Sequence, residues 1–111
     1  MSIAAQMRAR NLTSRILDAC ADHYEVPRRR MRARRRYAPD VEARSVAAYL
    51  IRRRYVPGMS YPEIARLLGG VHHTTVMAAV ERVERMLESD RYLAAMVDSI
   101  VVEVESGEVA A

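Results

Sequence analysis

The chain has 111 residues, a single cysteine, a formal net charge of +4 and an apolar half. That length suits one small domain with a modest core, and one cysteine excludes an internal disulfide framework. No apolar run approaches the roughly 20 residues a membrane helix needs. No signal-peptide pattern opens the chain, so a cytoplasmic, nucleoid-associated protein with no membrane partner is expected.

The charge is unevenly placed. Residues 1–70 carry fifteen arginines against six acids, residues 71–111 carry three against eight, and there is no lysine. A basic front and an acidic end point to a polyanion on one side of the molecule. A GC-rich genome would explain arginine in place of lysine, but not the clustering.

Residues 1–12 read as a frayed or weakly helical segment that Ile3 and Met7 would extend. A firm helix is expected from about Thr13 to Tyr24, with Ile16, Cys20 and Tyr24 on one side, ended by Val26-Pro27. Cys20 then packs rather than reacts, and His23 has no special role. Arg28 to Arg36, RRRMRARRR, holds seven arginines in nine residues. One reading is a solvated run, or the outer face of a short helix around Met31. The other is an arm that grips phosphates or a narrow minor groove, for which the planar guanidinium fork is suited. Mutual repulsion of seven like charges favours the second, since a polyanion would relieve it.

Tyr37-Ala38-Pro39-Asp40 reads as a connector, with Asp40 capping a helix from about Val41 to Tyr55. Val46, Ala47, Leu50 and Ile51 face inward there, and Arg44 and Arg52 to Arg54 face outward. Pro57-Gly58 turns the chain. Ser60 opens a short helix with Glu63 three residues later, the spacing of a capping box, and Pro62 stands in the first turn where its missing N–H costs nothing. Ile64, Leu67 and Leu68 are its apolar stripe, and Gly69-Gly70 stops it. A second helix starts near His73 or Thr74, with Val76, Val80, Val83 and Leu87 on one face. It ends near Ser89-Asp90. Asp90 caps a last helix with Leu93, Val97, Ile100 and Val104 inward, although its β-branched end would also tolerate an extended form. An acidic, mobile tail is expected over residues 105–111.

Two helices around a glycine turn, with His72-His73-Thr74-Thr75 at the start of the second, describe a helix-turn-helix that aims polar groups at base edges. The residues GG-x-x-HTTV, preceded by PEI, with Arg44, Val46, Ala47, Tyr49 and Leu50 upstream, resemble the C-terminal DNA-binding domain of the bacterial replication initiator DnaA. The resemblance covers roughly residues 14–100. It implies an all-α, Trp-repressor-like domain of about five helices that binds double-stranded DNA. It also implies base contacts from His72, His73 and Thr74, backbone support from Thr75, and a minor-groove loop at Arg34, Arg35 and Arg36. Ser60 joins this expected DNA-binding set.

Three departures from that family bear on the target. The family usually has Arg-Asp where this chain has Val71-His72, and tends to be basic where Glu81 stands. An aspartate accepts from cytosine, whereas histidine more naturally donates to guanine. An altered or relaxed sequence preference is therefore expected. No phosphate-cradling G-x-x-x-x-G-K-[ST] occurs and no nucleophile–base–acid set stands out, so no enzyme activity, cofactor or metal is expected. Adjacent His72 and His73 do not share a helix face as a metal pair would. The expected role is a regulator or accessory replication protein without an ATPase. Two rivals remain open: a non-specific nucleic-acid coater using only the arginine run, and a protein-interaction module docking through the acidic last helix.

Overall fold

A computed structural model describes residues 2–33 and 36–110, the last three as backbone only. Five α-helices follow in order: α1 (Ile3–His23), α2 (Ala38–Tyr49), α3 (Tyr61–Leu67), α4 (His73–Met86) and α5 (Arg91–Ala110). A 3-10 turn, Arg28–Arg32, precedes α2, and Leu50–Tyr55 prolongs α2 with π winding. There is no strand among the described residues, so the fold is the all-α domain the sequence implies. Its extents are 36 × 30 × 26 Å.

The apolar stripes converge as their spacing requires. Ile16, Cys20, Val46, Leu50, Ile51, Ile64, Val80 and Ile100 are fully enclosed. Burial of one such side chain contributes about 1.5–3 kcal/mol, so these residues dominate the domain's cohesion. α2 packs on α4, α3 leans on α4, and α1 packs along α5. Ala65, 3% exposed, supplies the small surface that lets α3 approach α4.

Several boundaries differ from expectation. α1 begins at Ile3, because the Ser2 hydroxyl accepts the Ala5 N–H at 3.1 Å and caps it. Ile3 and Met7 stay exposed, so this stretch is held by its cap and by continuity with a buried helix rather than by packing. α2 starts at Ala38, with Pro39 in its first turn. Asp40 is therefore not the cap. It sits inside the first turn, fully buried, with a carboxylate oxygen 3.7 Å from Arg30 Nη1. An acid is favoured there because the helix N-terminus carries partial positive charge. α4 stops at Met86, a few residues before Ser89. α5 runs on as helix to Ala110, past the point where a tail was expected. Asp90 does cap α5, its Oδ1 accepting from the N–H groups of Tyr92 and Leu93 at 3.0 Å each. No helix among the described residues is long and apolar enough to cross a membrane.

Candidate nucleic-acid interface

The helix pair α3–α4 is built as its sequence dictates. Ser60 Oγ accepts the Glu63 N–H at 3.2 Å, and Glu63 Oε1 lies 3.4 Å from the Ser60 N–H, closing the capping box. Gly69 and Gly70 both have positive φ, +92° and +75°, which ends α3 and redirects the chain. Leu68 is buried, so the turn is anchored to the core on its inner side.

The turn delivers the start of α4 to the surface. His73, Thr74 and Thr75 are exposed on its first turn, while Val76 immediately after them is buried. His72 is the N-cap residue: its Nδ1 accepts the Thr74 N–H at 3.2 Å and lies 2.7 Å from Thr74 Oγ1. Its ring stacks against His73 at 4.4 Å between centroids, tilted by 30°. Two imidazoles and two threonines thus share one small patch at the start of α4.

Part of that patch forms one wall of a groove of about 970 Å³ between α2, α3 and α4, which Thr74 does not line. His72, His73 and Thr75 line it together with Arg36. Arg44 and Arg66 line it too, although their positions in the sequence do not group them with the histidines. Arg66 lies in the last turn of α3 and Arg44 on α2; only the folded crossing of those helices reveals their shared destination. Arg44 is half-buried and donates to the Arg30 carbonyl at 3.1 Å. Burial lowers its pKa, opposed by the nearby Asp40 carboxylate. Arg34 and Arg35 lie outside the described residues. Ser60 is half-exposed at the start of α3, away from the groove wall, and its hydroxyl also donates to Glu63 Oε1 at 2.9 Å.

The arginine run is not uniformly available. Its first part is the 3-10 turn, with Met31 buried beneath it. Arg28 pairs with Asp18 at 2.6 Å and Arg30 with the buried Asp40. Internal acids, and not only an external polyanion, therefore relieve the repulsion within the run. Arg52 to Arg54 are also engaged by the protein. Arg52 is turned toward the chain, donating to the Met59 carbonyl at 2.7 Å with its guanidinium 4.5 Å above the Tyr61 ring. Arg53 pairs with Glu84 and Arg54 with Glu105. Two turns further along the face of α4 that carries Thr75, Arg82 donates to Ser45 Oγ at 2.9 Å and ties α4 to α2. Val71, where the similar family usually carries arginine, packs against the core.

Comparison with known proteins gives a family for the chain. The family described as "Bacterial dnaA protein helix-turn-helix" matches residues 13–83. The chromosomal replication initiator protein DnaA of Xanthobacter autotrophicus is 40% identical over 79 residues, covering 71% of this chain and 15% of that protein. The DnaA protein of Chloroflexus aggregans is 36% identical over 95 residues, 86% of this chain and 20% of its own length. That of Acholeplasma laidlawii is 33% identical over 96 residues, again 86% of this chain and 21% of its own. The chain thus spans only about a fifth or less of the curated relatives it matches. A glycine-hinged α3–α4 pair, an imidazole–threonine patch at the head of α4 and a family match over residues 13–83 make this chain a member of the bacterial DnaA helix-turn-helix family of DNA-binding domains.

Proposed function

We propose that the protein binds double-stranded DNA sequence-specifically, with the first turn of α4 in the major groove and Arg36 beside it at the adjoining backbone or minor groove. The observation that carries this reading is the shared groove: exposed His73 and Thr75 face the same concavity as Arg36. Major-groove edges differ for every base pair, and a helix N-terminus carrying hydroxyls and imidazoles is equipped to read them. Arg36 and Arg66 add positive charge to the groove, which attracts the phosphate backbone without regard to sequence. Exposed Glu81 lies two turns further along α4 than Thr74, on the same face, and confines contact with DNA to the head of the helix.

Against a non-specific coater, Arg28 and Arg30 already have acidic partners within the protein. Against docking through α5, Glu103 and Glu105 are likewise engaged, by His23 and by Arg54 with Tyr55. The relatives are named chromosomal replication initiators, and a regulatory or accessory part in replication is the role proposed for this chain. The test is enrichment of bound duplexes from a random library at near-physiological salt. A defined motif of several base pairs is expected. Uniform recovery of all sequences would contradict sequence-specific binding.

A further inference from the structure

We propose that His72 is a specificity-determining residue that selects a guanine through its Nε2–H; the inference rests on the DNA-binding reading above. A backbone N–H only donates, so the Nδ1 that receives the Thr74 N–H at 3.2 Å carries no proton. A neutral imidazole has one ring proton, and here it resides on Nε2. The Thr74 hydroxyl lies 2.7 Å from the same Nδ1, on the side of the ring that faces the helix start. Stacking on His73 at 4.4 Å further restrains the ring. The ring is exposed on the groove wall that Arg36 and Thr75 also form.

Helix capping therefore decides what the groove sees. The acceptor side of His72 is consumed by the start of α4, and the side left over is a donor. In the major groove guanine presents N7 and O6, two adjacent acceptors, while cytosine presents only the N4 amino donor. A lone Nε2–H suits the first and opposes the second. Adenine pairs its N7 with an amino group, which makes it a poorer match.

Two substitutions separate capping from reading. Asparagine and aspartate are both strong N-cap residues, so each preserves the helix start. His72→Asn caps through its carbonyl oxygen and leaves an amino donor for the groove. His72→Asp also caps, but leaves only acceptor oxygens. The wild type and both variants are put through selection from a random duplex library, and circular dichroism melting checks that each is folded. The wild type and His72→Asn are expected to share a guanine at one position. His72→Asp is expected to replace that guanine by cytosine or adenine, shifting the guanine-over-cytosine preference by about tenfold. Retention of the same guanine by His72→Asp, or no position that changes among the three, overturns the assignment while leaving DNA binding intact. Failure of all three folded proteins to enrich any sequence overturns the DNA-binding reading, and this inference with it.

Discussion

Gly69 lies directly against the backbone of Arg32: a Cβ built on it would overlap the Arg32 carbonyl oxygen and sit 2.7 Å from the carbonyl carbon. The glycine turn between α3 and α4 and the end of the arginine-rich 3-10 turn are thus packed main chain to main chain. This contact fixes where the arginine run leaves the core relative to the head of α4. Two distant stretches of sequence are brought to one face by the absence of a side chain.

Gly69→Ala is accordingly expected to be destabilising on two counts. Its φ of +92° is unfavourable for any L side chain, and the new methyl meets rigid main chain. Together these should cost at least about 2 kcal/mol. The shift in chemical-denaturation midpoint measures it; an unchanged midpoint would show that the turn can move away from Arg32 at little cost.

Asp40→Ala should also destabilise, for an electrostatic reason. Asp40 is 0% exposed and is the counter-charge to Arg30, with Arg44 in its field as well. Removing one partner of a buried pair strands the other, at a cost of roughly 2–4 kcal/mol when the partner is only partly enclosed. Denaturant titration of the variant checks the size. Asp18→Ala, which removes an exposed partner of Arg28, is expected to leave the midpoint nearly unchanged and serves as the control.

Stability should fall on the alkaline side. Burial pushes the Cys20 thiol well above its ordinary range, with Glu103 adding to the effect. Burial, then the nearby Glu42 carboxylate, does the same to the Tyr24 hydroxyl. Both groups ionise at lower pH in the unfolded chain than in the folded one, near 8.5 and 10 respectively. Above those values the unfolded state holds fewer protons, so unfolding becomes more favourable as pH rises. Melting temperatures measured from pH 7 to 11 should decline from about pH 9 onward. The same burial predicts that Cys20 resists thiol reagents until the protein unfolds.

Much of this was legible in the sequence because the signals were local. The capping box at Ser60 and Glu63, the Gly69-Gly70 stop, the Asp90 cap and the valine stripe of α4 each depend on neighbours within a turn or two, and each formed as read. What escaped was long-range. That Asp40 would be buried beside Arg30, and not cap α2, depends on how the 3-10 turn folds back on α2. That Arg66 and Arg44 would line the groove with His73 depends on helix crossing. Arg52 looked like one of three outward cations, but the Met59 carbonyl and the Tyr61 ring draw it inward. The π winding at Leu50–Tyr55 has no signal in the residues that form it.

Arg36 and His73 should behave differently when removed. Arg36→Ala is expected to weaken binding to every duplex and to lower the salt slope by about one. His73→Ala, on the same groove wall, is expected to cost less on random duplexes than on the selected one. Fluorescence-anisotropy titrations at several salt concentrations measure both. Arg36→Ala with an unchanged slope would remove that residue from the phosphate contacts.

Mapping amide chemical-shift changes in the isotope-labelled protein, as selected duplex is titrated in, tests the interface most directly. The largest changes are predicted at His72 to Thr75, at Arg36 and along the end of α3 near Arg66, with α5 nearly silent. Changes centred on α5, or limited to Arg28–Arg32 with the head of α4 unaffected, would contradict it.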